Sequence, residues 1–252
     1  MKFETTTICL IVILFFYACR HEDEQKPSNT VSITKTETGK LVEKHETISQ
    51  NKETDEPIFP AFAKTVKDFI PEHYDIDLEA DGDLNHDGLK DQVMILINTV
   101  DTTSQRVALV LLLQNDKSYK LDTKSFGVVE PKYREDGYQN YDFEDISIDK
   151  EGVLTITQQA TGPNGSLESI YKYIDDKLIL TDITSFTMGA GGQTELKLNL
   201  IKGIFEETDI NTMKEDMPSK TTTKKYKIPE VSFENSNPRD VIIKAFDVNG
   251  VN

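Results

Sequence analysis

Oxygen-bearing side chains are concentrated in one short stretch, Asp83-Leu84-Asn85-His86-Asp87-Gly88-Leu89-Lys90-Asp91. They stand at its first, third, fifth and ninth places, with glycine at the sixth. That alternation directs several oxygens at one point, as a hard cation such as Ca²⁺ requires, and the glycine permits the sharp turn. The expected ligands are the side chains of Asp83, Asn85 and Asp87, the carbonyl of Leu89, and Asp91 directly or through water. Three carboxylates so close repel one another until a cation neutralises them. An EF-hand requires Glu at the twelfth place, where this chain has Met94, so helix-loop-helix is excluded. The expected affinity is weak, about 10⁻⁴–10⁻³ M, as in extracellular modules.

Such a loop needs rigid neighbours. Before it, Tyr74, Ile76 and Leu78 alternate with Asp75, Asp77 and Glu79, the pattern of a half-buried strand. After it, Gln92-Val93-Met94-Ile95-Leu96-Ile97 reads as a buried strand. Further strands are expected at Val107–Gln114, Tyr119–Val129, Phe143–Ile148, Val153–Thr157, Ile170–Ile174, Leu178–Thr187, Leu196–Ile201 and Ile204–Thr208. Turn chemistry separates them: Asp149-Lys150-Glu151-Gly152 and Asp175-Asp176-Lys177 are hairpin signals, and Gly162-Pro163-Asn164-Gly165 makes a loop. Apolar residues at 62, 66, 69 and 70 suit one amphipathic helix over 61–70, which Pro71 stops. The fold class is therefore mainly β: an antiparallel β-meander, propeller-blade-like or a curved sheet, with one short N-terminal helix. The domain should span 57–210. Residues 211–252 read as a polar, partly ordered extension, with an edge strand at 224–228 and either a closing strand or a short helix at 241–246.

The run Gly82-Asp83-Leu84-Asn85-His86-Asp87-Gly88-Leu89-Lys90-Asp91-Gln92-Val93 resembles the calcium loop of FG-GAP repeats, the blade unit of integrin-type β-propellers. In those blades the loop likewise precedes an apolar strand. The loop occurs once here, whereas a propeller needs several blades. The longer layout resembles a group of uncharacterised Gram-negative lipoproteins: a leader, a tether, Phe69-Ile70-Pro71 ahead of the aspartate loop, then a β-meander. That second resemblance implies an address and offers no activity to carry over.

The N-terminus supports the address. Lys2 precedes an apolar run from Ile8 to Tyr17, the length of a signal-peptide core and too short to span a bilayer. Ala18-Cys19 ends it and resembles the lipobox of bacterial lipoproteins, which implies a leader over 1–18 and acylation of Cys19. Arg20 rather than Asp after the cysteine is compatible with transfer to an outer membrane, facing the periplasm or the cell surface. Residues 19–56 hold Lys, Glu, Thr, Ser, Asn and Gln with hardly an aliphatic side chain, the composition of a disordered tether.

Charge and cysteine count narrow the partners. The 252 residues carry a formal charge of −16, which repels nucleic acid and anionic head groups. The two cysteines, Cys9 and Cys19, both lie at the N-terminus, so neither a disulfide nor thiol chemistry is available to the folded part. Glu135, Asp136, Asp142, Glu144 and Asp145 cluster around Tyr133, Tyr138 and Tyr141 in the insert between strands, a recognition loop or simply a solvated one. Gly189-Ala190-Gly191-Gly192 lacks the strand-to-helix setting of a phosphate cradle. His73 reads as a surface histidine and His86 should point away from the ligand positions. The expected function is a lipid-anchored envelope protein with a structural Ca²⁺ loop that binds an envelope or extracellular partner. The alternative is a secreted-type hydrolase that uses paired carboxylates from 135–145 on glycans or peptides.

Overall fold

The computed structural model describes residues 56–160, 162, 165–225 and 229–249. The expected leader, the Cys19 anchor and the tether as far as residue 55 lie outside the described residues, as do residues 226–228 of the expected edge strand.

Two antiparallel sheets carry the described chain. Strands β1 (Phe62–Ala63), β2 (Tyr74–Gly82), β3 (Asp91–Asn98), β4 (Val107–Leu113) and β5 (Tyr119–Ser125) form the first, in the order β1-β5-β4-β3-β2. Strands β6 (Phe143–Ile148), β7 (Leu154–Gln159), β8 (Ser166–Ile174), β9 (Lys177–Gly189), β10 (Gly192–Asn199), β11 (Ile204–Asn211) and β12 (Ser219–Lys225) form the second as an unbroken meander. The mainly β, meander-like fold expected from turn spacing is the fold observed.

The apolar runs of β3 and β4 are buried on both faces. Val93, Ile95, Ala108 and Val110 join the larger core, which also contains Leu154, Tyr171, Leu180, Leu198 and Phe205 of the second sheet. Met94, Leu96, Leu109 and Leu111 form a smaller core with Phe69, flanked by Phe59, Val66 and Ile70.

Three details depart from the sequence reading. The segment 61–70 is not one helix. Phe62 and Ala63 pair with Lys120 and Tyr119 of β5, and only Val66–Phe69 turns, as a single 3-10 turn. Asp68 Oδ2 accepts from both Thr65 N and Thr65 Oγ1 at 2.9 Å, which closes that turn early. The same apolar residues still reach the core, because a sheet edge was on offer for the backbone. Second, β2 does not hold Tyr74, Ile76 and Leu78 on one face. The pairing shifts between Ile76↔Leu96 and Leu78↔Ile95, so Asp77 is a bulge. Tyr74 and Ile76 pack on the smaller core and Leu78 on the larger one.

Third, the segment after 211 is built into the domain. Strand β12 pairs with β11 over Ile204↔Lys225 to Ile210↔Ser219. A single α-helix among the described residues, α1 (Pro238–Asn249), follows. Of the two forms expected for 241–246, the helix is the one present. Val241 and Ala245, with Phe233 just upstream, belong to the larger core, and Phe246 packs edge-on against Phe205 at 5.3 Å. Among the described residues no helix is long and apolar enough to cross a membrane.

Candidate metal centre

The aspartate loop is the tip of the β2–β3 hairpin, closed at its base by the Gly82↔Asp91 pair. Its conformation follows from short side chains that satisfy nearby amides. Asp83 Oδ1 accepts from Asp87 N at 3.1 Å and its Oδ2 from Gly88 N at 3.0 Å. Asn85 Oδ1 accepts from Asp87 N at 3.1 Å, and Asp87 Oδ1 from Leu89 N at 2.8 Å. Asn85 Nδ2 donates to Asp87 Oδ2 at 3.1 Å. Gly88 has φ +84° with open space around it, so its glycine answers to backbone conformation rather than crowding. Leu84 is fully buried in the larger core. Its burial, worth about 1.5–3 kcal/mol, pins the loop from below.

Asp91 differs from the other acids. It is fully buried, and its oxygens accept from Leu84 N at 3.0 Å and Leu113 N at 2.9 Å. It thereby links the loop to β4. Burial pushes its carboxyl up to about 6; the two amide bonds oppose the rise, and the charges of Asp87 and Asp83 add to it. The charges of Asp83 and Asp87 are therefore felt at Asp91.

A second turn lies against the first. Asp149 Oδ1 accepts from Glu151 N and Val153 N at 2.9 Å and shapes the β6–β7 turn. Gly152, at φ +66°, closes it; a Cβ there would stand 2.7 Å from the Asp83 carbonyl oxygen. A Cβ on Gly82 would stand 2.5 Å from Ile148 Cγ2. The hairpin signal at 149–152 was legible in the sequence, but its contact with the aspartate loop was not. His86 is exposed as expected, with φ +62°, and its ring edge lies over Gly152. His73 is exposed at the foot of β2, 3.7 Å from Glu72.

The donor set offered by Asp83, Asn85, Asp87 and the Leu89 carbonyl is all oxygen, which suits a hard cation. Each acid already accepts an amide N–H. Among the described residues no group of three or more His, Cys, Asp or Glu side chains stands ready to hold a metal ion. A cation at the loop would have only the lone pairs that these amides leave free.

The acids of 135–145 scatter. Glu144 faces inward from β6 and takes Arg106, whose Nη2 and Nη1 donate to it at 2.5 and 3.0 Å. Arg106 is 0% exposed, and its Nη1 also donates to Asp77 Oδ2 at 2.6 Å. Lys132 adds a second cation on Asp77, and Gln158 donates to Glu144 at 2.9 Å. Asp136 pairs with Arg134 at 3.1 Å on the surface. Tyr141 is buried and donates to Glu130, while Arg239 donates to the Tyr141 oxygen. The buried Asp77–Arg106–Glu144 group bridges the two sheets, and no local pattern signals it except a lone arginine, Arg106, just ahead of the apolar run of β4.

Comparison with known proteins finds no matching family model, no matching curated protein and no matching solved structure.

Proposed function

We propose that the chain is a lipid-anchored envelope protein whose β-domain is clamped by a structural Ca²⁺ and presents a surface to an envelope or extracellular partner. The observation that carries this reading is the all-oxygen hairpin tip Asp83–Asp91, held from below by Leu84 and Asp91 and from the side by Gly152. In the proposed state Asp83, Asn85 and Asp87 ligate through side chains and Leu89 through its carbonyl. Asp91 takes part directly or through water while keeping the loop on β4. The ion's charge offsets the mutual repulsion of Asp83, Asp87 and Asp91. Its role is local stability rather than chemistry. The acylated Cys19 and the polar segment that follows it supply the membrane attachment, as the lipobox resemblance implies. The charge of −16 leaves nucleic acid out as a partner.

Calorimetry on the detergent-solubilised chain tests the loop. Millimolar Ca²⁺ should give a saturable heat, and a tenfold excess over Kd should add about 1.4 kcal/mol to stability. The double substitution Asp83→Ala with Asp87→Ala should abolish both effects. No heat, together with a Tm indifferent to chelator, would sink the reading. Cys19→Ser should move the protein from the membrane to the soluble fraction.

A further inference from the structure

Besides Glu144, which Arg106 answers, the inner face of the second sheet carries a carboxylate at Glu207. Register aligns Leu167, Ser185, Leu196 and Glu207 across β8, β9, β10 and β11. Leu167, Ser185 and Leu196 are buried there, and Phe205, two residues before Glu207 on the same face, is in the larger core. Period-two alternation calls for an apolar side chain at 207, and the chain places a carboxylate. Glu207 is half-buried and, among the described residues, its carboxylate has no hydrogen-bond or ion-pair partner.

It lines a cleft of about 380 Å³ between this face and α1. That size falls within the range of about 300–1,000 Å³ typical of small-ligand sites. Leu167 and Leu196 form part of the floor, and Ile242, Ile243 and Phe246 form the helix side. Phe246 is fixed by its contact with Phe205, whereas Ile243 is 57% exposed at the mouth. Hydroxyls of Ser185, Thr187 and Thr194 add polar points on the sheet side. The cation among the lining residues, Arg239, has its charge answered by Glu130, whose Oε1 lies 2.8 Å from its Nε, and its Nη2 donates to Tyr141, although the Nε–H itself is not aimed at an acceptor. The unanswered charge of the cleft is therefore negative.

We infer that this cleft binds a small organic ammonium ion with an apolar body, the nitrogen paired with Glu207 and the body against Leu196, Ile243 and Phe246. A half-buried carboxylate beside apolar side chains, with no partner among the described residues, matches a ligand that is cationic at one end and apolar along its body. A bound ammonium supplies a charge-assisted hydrogen bond to a carboxylate that the described residues leave unanswered. A neutral or anionic ligand of the same shape leaves the acid unanswered. The cleft shares no residue with the aspartate loop, so this inference stands or falls separately from the Ca²⁺ reading.

Hexylammonium, hexanol and hexanoate are suitable probes, titrated into the full chain in detergent and followed by the methyl resonances of Leu196, Ile242 and Ile243. Hexylammonium should shift these methyls saturably and at least tenfold more tightly than hexanol, with hexanoate weakest. Glu207→Gln should erase the preference for the amine while leaving the remaining spectrum, and hence the fold, intact. Equal binding of amine and alcohol, or an undiminished amine preference in Glu207→Gln, would overturn the assignment. So would methyl shifts that depend on protein concentration without any probe, since a second copy of the chain would then be covering the cleft.

Discussion

Asp91 shows how one carboxylate can tie a loop to the strand behind it. Its two oxygens hold Leu84 N and Leu113 N, and Asn at this position keeps only one acceptor while turning an NH₂ toward the other amide. Asp91→Asn should therefore destabilise the domain by about 1–3 kcal/mol, read as a lower urea midpoint. The pH dependence has a definite sign. Burial raises the folded-state carboxyl to about 6 from its ordinary 3.8. Between those values the metal-free folded state keeps a proton that the unfolded chain has lost. The Asp91 contribution to stability therefore falls as pH rises through that window and is level below it. Subtracting the Asp91→Asn profile from the wild-type profile in chelator should expose that fall. The spacing of Asp83, Asn85 and Asp87 was legible because each acts on its own loop through amides two to five residues away. The buried tie from Asp91 to Leu113 joins residues far apart in sequence, and no local pattern encodes it.

At the scale of elements, three strands break their ladder with a bulge, and each time the extra residue is polar and bonded. Asp77 of β2 reaches Arg106, Asp122 of β5 accepts from Tyr173, and Thr181 of β9 donates to the Ile170 carbonyl at 3.2 Å. Strand existence was readable from apolar runs and turn residues, and the edges of β4 and β6 fall within a residue of expectation. The bulges were not readable, since alternation looks continuous through Asp77 and only the register with β3 reveals the extra residue. Arg106 is the test of this layer. Arg106→Met leaves Asp77 and Glu144 buried with their shared cation gone, and should cost about 3–5 kcal/mol in chemical denaturation. Lys132 remains on Asp77 alone, so Glu144→Gln in the Met background should recover part of the loss.

For the molecule as a whole, the larger core is shared by both sheets and by α1. The composition after 211 reads as a polar, partly ordered extension, because β12 is Ser, Lys and Thr throughout. What composition concealed is that a few apolar residues, Phe233, Val241 and Ala245, suffice to seal the inner face of the second sheet. Val241→Asp introduces a charge into that seal and should lower Tm sharply, with loss of a single cooperative transition in calorimetry. The same substitution at exposed Ile243 should leave Tm nearly unchanged.

That seal has a temporal corollary. A polypeptide emerging from the ribosome N-terminus first displays β6 to β11 with Leu198 and Phe205 uncovered, until the residues of α1 are also free. Growing chains should thus remain protease-sensitive and available to holding chaperones until the residues of α1 have emerged.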